Sequence, residues 1–212
     1  MQIKVCGITN NRNLTDIAQL KPDYMGFIFH KSSPRDVSET IGKLHLTAIP
    51  SSVKKVAVVV NKPIEQVRDI IKKHGFEAVQ LHGDEDPAYC RELMKMCEVI
   101  KAFRLQHSLP PRLEEFENNC HLFLFDAKGK YQGGNGIKFN HDILKKYYLK
   151  TPFILSGGIG DDDLNYLQNI DLGGLAGVDL NSRFELSPGY KCFSSLKVFI
   201  QKLKSDATVN KQ

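Results

Sequence analysis

The sequence predicts a single-domain α/β fold, a (β/α)8 TIM barrel with eight parallel strands, and three observations carry that expectation. Short β-rich runs recur eight times along the chain. They stand roughly 20 to 30 residues apart, room for one helix and two loops between neighbours. Several are continuously apolar rather than alternating, as strands covered on both faces are.

In chain order the runs are IKVCGI, YMGFIF, KKVAVVV, AVQLH, VIKAFRL, HLFLFD, PFILSG and LAGVDL. Between the third and fourth, NKPIEQVRDIIKKHG reads as a helix. Pro63 opens its first turn, Ile64, Val67, Ile70 and Ile71 share one face, and Gly75 stops it. Between the fourth and fifth, DPAYCRELMKMC takes Asp86 as N-cap and Pro87 as its first helical residue. Cys90 and Cys97 fall on its apolar stripe with Leu93 and Met94, which makes both core thiols. After the last strand, SLKVFIQKL repeats the pattern with Leu196, Phe199, Ile200 and Leu203. Reading every gap alike gives one catalytic domain over residues 1–203 and a polar tail, 204–212. An open doubly wound sheet is the alternative, but VCGITN stands where G-x-G-x-x-G would follow its first strand.

Composition narrows the function. With 212 residues, 42% hydrophobic and 25% charged, the chain suits one globular domain. No apolar run reaches the ~20 residues of a membrane helix, and the amino terminus lacks a secretory leader. A cytoplasmic location without a membrane partner is expected. Cys6, Cys90, Cys97, Cys120 and Cys192 are odd in number and contain no C-x-x-C, which points to free thiols in a reducing compartment. The histidines form no H-x-x-x-H or H-E-x-x-H, so no metal site is expected. The net charge is +5, but the basic residues are scattered rather than set among aromatics. That favours anionic small molecules over nucleic acid.

In such barrels chemistry is built at the carboxyl ends of the strands. Cys6-Gly7 ends the first, and Ser33-Pro34-Arg35 follows the second. His82-Gly83 ends the fourth, Asp126 the sixth, Ser156-Gly157-Gly158 the seventh, and Asp179, Asn181 and Ser182 the eighth. Gly157 and Gly158 fit either a phosphate-binding turn or a turn that needs positive φ. Asp126, at the rim of an apolar strand, is a proton donor with a raised pKa or a turn aspartate; the glycine-bearing loop after it tilts toward function. Cys6 is a small buried hydrophobe, or a base or nucleophile with a pKa near neutrality. Arg35, held by Pro34, is a carboxylate clamp or a solvated arginine. His82 is a structural histidine or a substrate contact. Asp179 is a ligand or the cap of NSRF.

Taken together, KVCGIT, GFIF, SPR, VQLHGDE, FLFDA, GGNG, ILSGGI and GVDLNSRFE…PGYK resemble phosphoribosylanthranilate isomerase, in family order, over residues 2 to 203. The resemblance implies a metal- and cofactor-free Amadori rearrangement in tryptophan biosynthesis. Asp126 matches the general acid, which protonates the furanose oxygen and opens the sugar to a Schiff base. Cys6 matches the general base, which takes the proton from C2. They must begin as carboxylic acid and thiolate, the reverse of their ordinary order. So the site raises one, lowers the other, or works through a minority form. Gly157, Gly158, Asn181 and Ser182 grip phosphate, Arg35 faces the anthranilate carboxylate, and His82 and Asp179 are further substrate contacts. The partner is a small phosphorylated substrate, and the chain acts as a monomer or homodimer. Three positions depart from the family: Asp36 for an aromatic after SPR, Asn140-His141 within KFNH, and Cys192 for an aspartate. One rival is a histidine-pathway isomerase, which pairs strand-end aspartates where this chain offers Cys6. Another is a barrel that binds phosphorylated ligands without turnover.

Overall fold

The computed structural model describes residues 1–127 and 140–205. Eight parallel strands close on themselves in chain order. They are β1 Gln2–Cys6, β2 Tyr24–Phe29, β3 Lys54–Val59, β4 Ala78–Leu81, β5 Glu98–Leu105, β6 Leu122–Ala127, β7 Phe153–Leu155 and β8 Leu175–Leu180. Successive strand residues face opposite sides, so the core has two layers. Val56, Val58, Ile100, Leu122, Leu124 and Ile154 fill the barrel, while residues such as Ile3, Phe27, Val79 and Phe123 pack outward beneath the helices. That double burial explains the near-continuous apolar runs.

The expected helices are present where their punctuation is complete. α1 is Asn11–Gln19, with Asn10 accepting from the Asn13 amide. α2, Ile64–His74, starts after Pro63 and ends at Gly75, whose φ of 64° is the left-handed stop. α3, Pro87–Met94, is capped by Asp86. α4, Leu164–Asn169, is short. α5, Phe193–Ser205, buries Leu196, Phe199, Ile200 and Leu203.

Strict alternation fails elsewhere. After β2, β5 and β6 the described connections carry only 3-10 segments, among them Leu113–Phe116 and His141–Lys146. Pro110 and Pro111 precede the former, where Arg112 and Asn118 take positive φ, so no helix can propagate. Aromatic rings cover these strands instead: Phe103, Phe123, Phe125 and Phe153 pack mostly edge to face with Phe116 and Tyr147.

Three smaller expectations also need correction. Cys97 lies beyond the end of α3, its sulfur 3.9 Å from the Leu93 carbonyl, and packs partly buried against the core, while Cys90 is fully buried in it as expected. α5 takes in Lys204 and Ser205; the rest of the expected tail, 206–212, lies outside the described residues. The same holds for GGNG and Lys138-Phe139. A hairpin absent from the sequence reading, β9 Glu185–Ser187 and β10 Tyr190–Lys191, turns at Pro188-Gly189 and is pinned to α1 through Asn13 and Lys191. Among the described residues no helix is long and apolar enough to cross a membrane.

Candidate active site

Cys6 is the last residue of β1, buried, with Gly26 of β2 beside it in register. A Cβ on Gly26 would lie 2.7 Å from the Cys6 sulfur, so the glycine makes room for the thiol. Two residues back on the same face, the fully buried Lys4 donates to Asp179 at 3.0 Å. Burial pushes the Cys6 thiol up; the Lys4 ammonium opposes it, Asp179 adds to it, and Lys191 is a second opposing cation. The net direction is upward, away from the near-neutral value expected of a base. Burial would depress Lys4, but Asp179 and Cys6 outweigh it and its pKa ends above the ordinary range. The second oxygen of Asp179 accepts from Ser156 at 3.3 Å, and the N-cap position of the turn after β8 falls to Asn181 instead.

On another side of the mouth, Asp126 is buried near the end of β6. One carboxylate oxygen accepts from the Ala127 amide at 2.9 Å. The other is 3.4 Å from His82 Nε2, within electrostatic reach but outside hydrogen-bond geometry, so Nε2 is a buried atom without a hydrogen-bond partner. His82 Nδ1 is 2.9 Å from the Gln80 amide nitrogen. Gly157, φ 91°, passes so close that a Cβ there would meet the Ala127 nitrogen at 2.7 Å. Arg104 stands beside Asp126 in register and lines a cleft of about 310 Å³ with His82, Gly83, Lys101 and Phe103.

Arg35 is neither solvated nor open on all sides. Its Nε donates to both oxygens of Glu185, at 2.9 and 3.1 Å, and its Nη2 adds a third contact. Glu185 also accepts from Lys191 at 2.6 Å, and Lys191 donates to Asn181. Burial would raise the Glu185 carboxyl, but Arg35 and Lys191 hold it below the usual range. Burial dominates at Lys191 and pushes it down, with Glu185 partly offsetting. Gly7, φ 86°, lets this cluster close over β1, since a Cβ would meet the Arg35 chain at 2.7 Å and Asn181 at 3.0 Å.

After β7, Gly157 and Gly158 both take positive φ, so the turn requirement is real whatever else they do. The acidic segment after them is a 3-10 turn, Asp161–Asp163, and Asp163 takes the Gly160 amide. Asn181 and Ser182 enter a second 3-10 turn, Ser182–Phe184. The family departures are locally compensated. Asp36 accepts from Ser38, Asn140 from the Asp142 amide, and the Cys192 sulfur from the Ser195 hydroxyl.

The residues the sequence reading passed over are Lys4, Gln80, Arg104, Glu185 and Lys191. Parity could have found the first three, for each lies on the inward face of its strand, two residues from Cys6, His82 and Ala102 respectively. Among the described residues no cluster of three or more His, Cys, Asp or Glu side chains could hold a metal.

The family profile described as "N-(5'phosphoribosyl)anthranilate (PRA) isomerase" matches residues 3–202. The N-(5'-phosphoribosyl)anthranilate isomerase of Parabacteroides distasonis is 37% identical over 206 residues, covering 96% of this chain and 93% of the relative. The crystal structure of the Thermotoga maritima isomerase superposes with a TM-score of 0.81 at 30% identity, covering 96% of this chain and 98% of that one. A phosphoribosyl anthranilate isomerase in complex with reduced 1-(o-carboxyphenylamino)-1-deoxyribulose 5-phosphate gives 0.79 at 29% identity, with 96% and 98% covered. Sequence and barrel thus agree over almost the whole length, and the chain belongs to the N-(5'-phosphoribosyl)anthranilate isomerase family.

Proposed function

We propose that Asp126 and Cys6 are the two proton carriers in the Amadori rearrangement of N-(5-phosphoribosyl)anthranilate to 1-(2-carboxyphenylamino)-1-deoxyribulose 5-phosphate. Asp126 gives its proton to the furanose oxygen; the C1–O bond breaks as the anthranilate nitrogen lone pair forms C=N. Cys6 takes the proton from C2, and the electron pair of that C–H bond moves to give an enolamine, which tautomerises to the ketone. The observation that supports this pairing is that both groups are buried near strand ends at one mouth, each beside space a glycine leaves.

Because burial raises Cys6, the working base is the minority thiolate, favoured by the Lys4 and Lys191 charges. Gly157, Gly158, Asn181 and Ser182 flank the phosphate, whose binding positions the reacting end. The free edge of Arg35, together with Arg104, supplies positive charge for the anthranilate carboxylate, and His82 and Asp179 border the sugar. A family member crystallised with a phosphorylated product analogue supports a substrate of this class.

The test is a fluorescence assay on fresh phosphoribosylanthranilate, with spontaneous breakdown subtracted, comparing wild type, Cys6→Ser and Asp126→Asn. Each substitution is expected to lower kcat by about 10² to 10⁴ while the protein stays folded. Full activity in folded Cys6→Ser would move the base elsewhere; full activity in Asp126→Asn would move the acid.

A further inference from the structure

We propose that Gln80 is a positioning residue: it fixes the ring and tautomer of His82 so that the Nε2–H is aimed at Asp126 and steadies the carboxylate left by proton donation. The proposal rests on the reading of Asp126 as the acid. Gln80 points into the barrel from β4, 1% exposed, in register with the apolar Val58 of β3 and Ile100 of β5. Among the described residues its buried amide oxygen has no hydrogen-bond partner. Leaving such an atom unpaired costs about 1 to 3 kcal/mol, and an apolar residue would fill the same space without that cost. A buried polar group kept under these terms points to a functional constraint.

The geometry says what the constraint is. The amide nitrogen of Gln80, 2.9 Å from His82 Nδ1, can only donate. Nδ1 then accepts, which puts the N–H of the ring on Nε2. That nitrogen is buried, has no hydrogen-bond partner among the described residues, and is 3.4 Å from the Asp126 oxygen that does not take the Ala127 amide. Such contacts are often long in empty sites and tighten when substrate is bound. As Asp126 gives up its proton, negative charge develops on the oxygen facing the Nε2–H. A short move of the ring would then complete a charge-assisted hydrogen bond. Without Gln80 the proton can sit on Nδ1, and Nε2 turns a lone pair toward the forming carboxylate.

Nitrogen-15 NMR of wild type tests this without any substitution, because the two tautomers differ in the chemical shifts of the ring nitrogens. His82 is expected as the Nε2–H form; an Nδ1–H ring in folded wild type would overturn the proposal. In Gln80→Leu the signal should shift to a mixture. There kcat should fall about tenfold to a hundredfold, the usual size of effect when a histidine loses its orienting partner, with KM little changed. Gln80→Met provides the same comparison should Leu fail to fold. Adding Gln80→Leu to Asp126→Asn should cost nothing further. Full activity in Asp126→Asn would sink the acid assignment itself. An inactive Asp126→Asn beside a fully active Gln80→Leu would sink the positioning role alone.

Discussion

Two buried polar clusters stand at different sides of the barrel mouth, and they are built on opposite terms. Beside β1 and β8, Glu185 is saturated: Arg35, Lys191 and the Gly189 amide all donate to it. Beside β4 and β6, His82 Nε2 and the Gln80 amide oxygen are buried and unmatched. The first cluster spends its hydrogen-bonding capacity on itself and holds the hairpin over the mouth. The second leaves capacity unused beside Asp126, the proposed acid. The first still lends the proposed site Arg35 and the Lys191 charge, so full pairing gives rigidity without excluding chemistry.

The largest effect expected from that contrast is on stability. Glu185→Gln leaves Arg35 and Lys191 buried without a counter-charge, a change that typically costs about 3 to 5 kcal/mol. Urea unfolding of this variant against wild type should show most of that loss. Gln80→Leu, by comparison, should cost less, about 1 kcal/mol, since it removes an unmatched oxygen but also takes the donor from His82 Nδ1. Equal losses in the two variants would break the comparison.

Next in size is the space around Cys6. Gly26→Ala would put a methyl 2.7 Å from the sulfur and 3.2 Å from the Cys6 Cα, so strand or thiol must shift. Overpacking of this kind costs about 1 to 3 kcal/mol, and a misplacement near 1 Å at a reacting group can cost about a hundredfold in rate. Steady-state assay and urea unfolding together should show the rate falling much further than stability. A fully active Gly26→Ala would mean the thiol position is not critical.

Most of the barrel was legible because burial on both faces leaves a mark in every strand. YMGFIF and LAGVDL match β2 and β8 residue for residue. The connections after β2, β5 and β6 were less so. A helix was inferred there from alternation, whereas Pro110, Pro111 and the ring cluster around Phe103 and Phe123 make a short turn sufficient. At the site, strand-end position pointed to Cys6, His82 and Asp126. What it hid was the pairing: that Arg35 is tied to Glu185 150 residues away, and that Lys4 meets Asp179 across the closure of the barrel. Such pairs depend on closure, which no local pattern records. The hairpin was signalled by Pro188-Gly189 but masked by its brevity.

The smallest expected effect comes from the buried thiols. Burial pushes Cys90 up to about 12 and Cys97 to about 11, and it raises Cys6 and Cys120 as well. In the unfolded chain each ionises near the ordinary 9.0. Below that value both states keep the proton and stability does not change through these groups. Above it the unfolded chain releases protons that the folded chain retains, so unfolding becomes easier as pH rises. The decline should begin near pH 9 and continue until the folded thiols ionise, toward 11 for Cys97 and 12 for Cys90. Its slope is at most about 1.4 kcal/mol per pH unit for each group. Urea unfolding between about pH 8 and about pH 10 should show the onset. Cys90→Ala should flatten it, because Cys90 keeps its proton in the folded chain up to about 12. An unchanged slope in folded Cys90→Ala would mean that burial does not hold that thiol's proton.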